Sequence, residues 1–239
     1  MEATADLART GPDPRRWWAL ALLCSAYFMV ILDVSIVNVA LPSIQEDLHF
    51  KPDDLQWVLS AYALTFGGFL LLGGRVADVL GRRVVFMGGV ALFTLASLAC
   101  GLSGSEGMLI GARAVQGLGA AILSPAALSI ITTTFDEGSE RNKALGIWGA
   151  MGGSGAAVGV LLGGILTKAL GWEWIFFVNV PIGAFVLATT RSIVKESRAG
   201  NATRHFDALG AVLVTAGLST AVFGITKAND YGWTSGTTV

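Results

Sequence analysis

Two charges in this sequence lie where water is scarce. Asp33 falls inside the apolar run 17–41, and Arg113 inside the run 107–131. A charge held in hydrocarbon costs at least a few kcal/mol unless it is paired or faces an aqueous cavity. A carboxylate accepts a proton and a guanidinium holds a carboxylate through a planar fork, so the two together offer reversible neutralisation of charge. From Arg113, the residues Gln116, Gly117, Ala120 and Ser124 follow at i+3, i+4, i+7 and i+11. That spacing draws one polar or small stripe along a helix face, as the lining of a pathway requires. Two readings stand: an ion pair that glues helices together, and one that takes part in moving something along the stripe.

A second cluster is GGRVADVLGRRVVF at 73–86, with Arg75, Asp78, Arg82 and Arg83 set between two apolar runs. Gly74 and Gly81 let the backbone reverse, and Asp78 and Arg82 have the i,i+4 spacing of a local ion pair on a helix. A plain membrane-surface anchor would look the same. A third feature is the ridge Gly155, Gly159 and Gly163, with Gly149 and Gly153 as a second small pair; such ridges let helices approach closely in a bilayer. GSGAAVG at 153–159 brushes against a dinucleotide fingerprint and fails it, because Val158 occupies the last glycine position and no strand precedes it.

Enzymatic constellations are missing. His49 and His205 are single and loop-located, so no metal site is expected, and no phosphate-binding glycine loop with lysine appears. Neither cofactor nor catalytic residue is expected, and any energy source would be an ion gradient. Cys24 and Cys100 lie inside apolar runs and read as buried thiols.

The elements that must position these residues follow from composition. The chain of 239 residues is 53% hydrophobic and 14% charged, with a mean hydropathy of +0.64. Its apolar runs have the length that spans a bilayer as helix, so the predicted class is an all-α polytopic membrane bundle. Seven spans are expected near 17–41, 55–73, 84–102, 107–131, 144–167, 172–190 and 208–226. Arg15 and Arg16 before the first run resemble the start of a signal peptide, but the run is too long and lacks a small-residue cleavage site, which favours an uncleaved helix. With the N-terminus inside, the inner segments hold Arg9, Arg15, Arg16, Arg75, Arg82, Arg83, Arg141, Lys143, Arg191, Lys195, Arg198 and Arg204, against Lys51, Lys168 and Lys227 outside. Positive charge favours the cytoplasmic side, so a multi-pass cell-membrane protein with a cytoplasmic N-terminus is expected. The bilayer is then a partner, and nothing supports nucleic-acid binding. WEW at 172–174 and YGW at 231–233 fall at the outer surface, where amphipathic rings suit the headgroup layer. The NAT at 201–203 is a chance sequon on the inner side. On this topology Asp33 lies roughly 24 Å from the inner surface and Arg113 roughly 9 Å from the outer one, at similar depth.

These stretches carry a resemblance. GRVADVLGRR at 74–83 resembles the loop signature of the major facilitator superfamily. RAVQGLGAAILSP at 113–125 is similar to another element of that superfamily, and LDVSIVNVALPSI at 32–44, GAAVGVLLGG at 155–164 and WEWIFFVNVPIG at 172–183 are similar to motifs of its fourteen-helix drug:proton antiporter branch. Val160 stands where that branch's fifth-helix motif has proline. The resemblance implies a secondary transporter, with proton-coupled export of drugs or other amphipathic small molecules as the leading function. A metabolite transporter working in another direction and a non-transporting remnant that needs a partner chain are the alternatives. It implies that Asp33, Asn38, Arg113 and Gln116 belong to a central cavity and proton coupling. Gly74, Asp78, Gly81, Arg82 and Arg83 would latch the cytoplasmic side against a second bundle. Gly155, Gly159, Gly163 and Gly164 would lie on a helix lining the interface between halves. It also implies a division into a tail (1–16), a six-helix N-terminal bundle (17–190), a cytoplasmic linker (191–207), a seventh helix (208–226) and an outer tail (227–239). On that reading the chain is an N-terminal portion whose second, C-terminal bundle is absent.

Overall fold

The computed structural model describes residues 15–198, together with positions 210, 213, 214, 216, 217, 220, 221 and 224, which are helical. Apart from those positions, the seventh span expected at 208–226 lies outside the described residues, as do the 1–14 and 227–239 tails, the tripeptide 201–203, His205 and the aromatic triplet 231–233.

Backbone polar groups have no water to bond in hydrocarbon, so long apolar segments satisfy themselves as helices. Among the described residues, six helices are long and apolar enough to cross a membrane: α1 (Arg16–Leu48), α2 (Pro52–Leu80), α3 (Arg82–Gly101), α4 (Glu106–Thr134), α5 (Ser139–Ala169) and α6 (Trp174–Ile193). Regular helix is interrupted at Gln56 in α2 and at Val178 in α6, and no strand occurs among the described residues. Short punctuation separates the spans. Ser105 caps the start of α4 by accepting the Met108 N–H, and α3 starts after Gly81, whose φ of 113° needs glycine.

Two places depart from expectation. Gly74 does not help reverse the chain: α2 keeps its hydrogen-bond ladder to Leu80, beyond the hydrophobic run, and the reversal rests on Gly81. Trp172 is not a surface ring. It is 4% exposed, packs in the core and donates its Nε1–H to Asp47 Oδ2 at 2.9 Å, while Trp174 is the exposed member of the triplet at 46%.

The bundle is assembled through small residues. α4 packs between α2 and α3, α1 packs on α5 and α6, and α3 packs on α6. A Cβ at Gly119 would come 2.6 Å from the Phe93 nitrogen. On α5, a Cβ at Gly159 would stand 2.9 Å from the Leu32 carbonyl oxygen and one at Gly163 3.0 Å from Val39 Cβ, so the ridge Gly155, Gly159 and Gly163 is a contact surface for α1. Gly149, Gly153 and Gly164 face open space. Two apolar cores fill the interior. One gathers Leu23, Val30, Phe86, Phe93 and Phe135, the other Leu32, Ile36, Leu109, Trp172 and Phe176. Asp33 follows directly where they meet.

A buried ion pair beside an apolar cavity

Asp33 on α1 and Arg113 on α4 form an ion pair, Nη1 to Oδ2, at 2.5 Å. The two side chains are 0% and 1% exposed. A buried pair offsets the cost of desolvation only when the remaining donors and acceptors are also served, and here the neighbouring helices serve them. Arg113 Nε donates to the Val58 carbonyl of α2 at 3.0 Å, and Nη1 also donates to Gln116 Oε1 at 2.7 Å. Gln116 Nε2 in turn donates to Asp33 Oδ1 at 2.7 Å. From α6, Asn179 Nδ2 donates to the same Oδ1 at 3.0 Å and to Ser97 Oγ of α3 at 3.0 Å. Ser97 donates its own O–H to the Phe176 carbonyl at 2.9 Å, and Cys100 Sγ lies 3.5 Å from Gln116 Oε1. The guanidinium carbon sits 4.3 Å from the centre of the Tyr62 ring and 5.8 Å from that of Phe176, so aromatic faces flank its plane.

Five helices therefore supply the network around one carboxylate, α4 and α6 by direct hydrogen bonds and α2 and α3 through Arg113 and Asn179. Of the residues singled out in sequence, Asp33, Arg113 and Gln116 come together. Asn38 does not join them: its Nδ2 bonds the Val34 carbonyl of its own helix at 2.7 Å. Tyr62, Ser97, Cys100 and Asn179 are additions made by the fold. Two of them keep an unspent polar atom, since Tyr62 Oη and Asn179 Oδ1 are buried without a hydrogen-bond partner.

Against this network lies a cavity of about 440 Å³ between α1 and α2. Val30, Ile31 and Val34 form one wall, Leu59, Ala63 and Phe66 the other, with Tyr27, Tyr62, Asn38 and Arg113 at their edges. Its volume falls in the range of small-molecule sites, and its walls suit an apolar body with few polar groups. The one cation it touches is already neutralised by Asp33.

The arginine-rich stretch forms a second assembly, at the end of the bundle where α1 begins. Asp78 and Arg82 pair at 3.1 Å across one turn. The segment after α6 folds over the start of α3: the Glu196 carboxylate accepts the N–H groups of Arg83 at 3.1 Å and Val84 at 3.2 Å. Ser197 O accepts Arg82 N–H at 3.0 Å, and Val194 O accepts Arg83 Nη1 at 3.1 Å. Cys24 and Cys100 are both buried thiols without a disulfide, His49 is exposed at the end of α1, and no metal-binding group of histidine, cysteine, aspartate or glutamate occurs among the described residues.

A family model described as Major Facilitator Superfamily matches residues 23–236. Among curated proteins, the puromycin resistance protein pur8 of Streptomyces alboniger is 48% identical over 223 residues, which cover 93% of this chain and 44% of that one. The cephamycin export protein CmcT of Amycolatopsis lactamdurans is 46% identical over 98% of this chain and 48% of its own length. A tetracenomycin C resistance and export protein of Streptomyces glaucescens is 39% identical over 96% of this chain and 42% of its own. The chain thus spans under half the length of these relatives. Of solved structures, a peptide transporter POT in complex with sulfate superposes with a TM-score of 0.69 at 17% identity, over 92% of this chain and 48% of that one. A bacterial homolog of the human lysosomal transporter Spinster gives 0.61 at 24% identity, over 77% and 43%. These two share the fold.

Proposed function

The chain belongs to the Major Facilitator Superfamily, and on that premise we propose that it supplies the N-terminal bundle of a proton-coupled exporter of drugs or other amphipathic small molecules. The observation that carries the reading is the fully buried Asp33–Arg113 pair set against an apolar cavity of about 440 Å³. The relatives named for puromycin resistance, cephamycin export and tetracenomycin C export support the class of cargo.

In this reading the cavity takes the apolar body of the substrate while Asp33 and Arg113 hold each other. A proton from outside neutralises Asp33, loosens its grip on Arg113 and favours release. A second bundle closes the pathway, as the length of the relatives suggests, and it rests on α2 and α5, which bury the smallest shares of their apolar stretches, 22% and 17%. Asp78, Arg82 and Arg83 latch against that bundle on the cytoplasmic side. The protein sits in the inner or plasma membrane with its N-terminus in the cytoplasm, an orientation supported by the crowding of arginine and lysine at one end of the bundle. Residues 191–207 then link to a seventh helix at 208–226.

Drug accumulation tests the reading. Cells making the complete transporter should hold less of an amphipathic antibiotic than control cells, and a protonophore should abolish the difference. Equal accumulation with and without the transporter would contradict export, and a difference that survives the protonophore would contradict proton coupling.

A further inference from the structure

We infer that Gln116 and Asn179 decide which oxygen of Asp33 takes up the proton, directing it to Oδ2, the atom that Arg113 holds. The inference rests on the proposal that Asp33 is the coupling carboxylate, and adds how proton binding is brought to the oxygen whose charge holds the ion pair.

The two oxygens of Asp33 are not equivalent. Oδ1 accepts two amide N–H groups, from Gln116 at 2.7 Å and Asn179 at 3.0 Å. Oδ2 accepts one, from Arg113 at 2.5 Å. A proton needs a free lone pair, and two donors already occupy those of Oδ1. Rotation of either amide would present a carbonyl there, but both are held. Gln116 Oε1 accepts from Arg113 Nη1 at 2.7 Å, and Asn179 Nδ2 is also bonded to Ser97 Oγ at 3.0 Å. Turning one amide therefore breaks a second hydrogen bond in a buried site, where an unmade bond costs its full desolvation. Oδ2 accepts a single donor and keeps a lone pair free for the proton. The O–H bond forms on that lone pair of Oδ2, the negative charge is lost from the atom that holds Nη1–H so the ion pair weakens to a hydrogen bond onto a neutral carboxyl, and the guanidinium keeps its bonds to the Val58 carbonyl and to Gln116 Oε1. No other covalent bond changes.

The ionisable groups facing Asp33 are Arg113 on α4, Tyr62 on α2 and Cys100 on α3, the last two close enough to feel both charges. α6 presents Asn179, and the ionisable residues of α5, from Glu140 to Lys143 and at Lys168, lie at its two ends. Asn179 and Gln116 thus act as positioning residues: they bring the proton to the same oxygen that the guanidinium holds.

The test is a pH titration of the full chain in lipid nanodiscs by difference infrared spectroscopy, with isotope-labelled arginine. The carboxyl band is assigned by its loss in Asp33→Asn, together with the arginine band that titrates with it. In the unaltered chain both bands should change at one midpoint. In Asn179→Leu a lone pair of Oδ1 is freed, and the arginine change per carboxyl protonated should fall to about half or less. Ser97→Ala releases the Asn179 amide without emptying the site; it should act in the same direction and carries the test if Asn179→Leu does not fold. An undiminished arginine change in both variants would overturn this inference and leave the coupling proposal standing. A chain in which no carboxyl band disappears with Asp33→Asn would overturn both.

Discussion

At the scale of single residues, the shape of the guanidinium matters more than its charge. Arg113 reaches Val58 O, Gln116 Oε1 and Asp33 Oδ2 from one rigid plane and sits over the Tyr62 ring. A lysine keeps the charge but cannot direct donors to all three, and each buried acceptor left unmet costs about 1–3 kcal/mol. Arg113→Lys should therefore lower the thermal unfolding midpoint in detergent and cut transport by roughly tenfold or more, since about 1.4 kcal/mol is a factor of ten; a variant with unaltered melting would show that the fork is not used. Asp33 and Arg113 were readable in the sequence because a charge in an apolar run has few explanations, and Gln116 was readable from its place on the stripe. Ser97 was not. Ser25 and Thr94 are equally isolated hydroxyls, and each bonds the carbonyl four residues back in its own helix. Only the packing of α3 on α6 makes Ser97 different. Asn179 lay in plain sight in the sixth-helix motif, yet its target is 146 positions away in sequence.

At the scale of elements, the glycines of α5 divide into two kinds that spacing alone does not separate. Gly159 has the α1 backbone against it, while Gly164 faces open space. Gly159→Val must push α1 and α5 apart, an overpacking penalty of about 1–3 kcal/mol, and should reduce membrane abundance and melting temperature; Gly164→Val should leave both unchanged. Equal losses in the two variants would contradict the packing. At the start of α3, Glu196 caps two backbone N–H groups. Glu196→Ala should cost about 1 kcal/mol, as loss of a helix cap does, and should speed hydrogen exchange at Arg83 and Val84 with the rest of α3 unaffected. The helices themselves were legible from run length, but their ends were less so. Hydropathy falls off near residue 73, whereas the backbone ladder of α2 continues to Leu80, because helix stops where its hydrogen bonds are intercepted and not where its side chains turn polar. The Glu196 cap had no signal in sequence, since an acid following a membrane helix is ordinary until the chain folds back.

At the scale of the whole molecule, the ends of the bundle differ in charge and its sides differ in burial. Arg16, Arg82, Arg83, Arg141 and Lys143 gather at one end, partly paired, as Arg16 is with Glu140 at 2.5 Å. A cysteine placed at Arg82 should resist an impermeant thiol reagent in intact cells, and one placed at Asp53 should react; the reverse pattern would invert the proposed orientation. On the sides, α5 exposes Val160, Leu161 and Ile165, a face suited to a second bundle as much as to lipid.

The claim on which the account turns is that Asp33 couples proton entry to release of substrate, and efflux from energised membrane vesicles containing the complete transporter measures it most directly. Asparagine preserves the size of Asp33 and some of its hydrogen bonds but accepts no proton at neutral pH. With membrane abundance matched, Asp33→Asn should lose proton-driven efflux and its dependence on pH. Efflux in Asp33→Asn with the rate and pH dependence of the unaltered transporter would contradict the account.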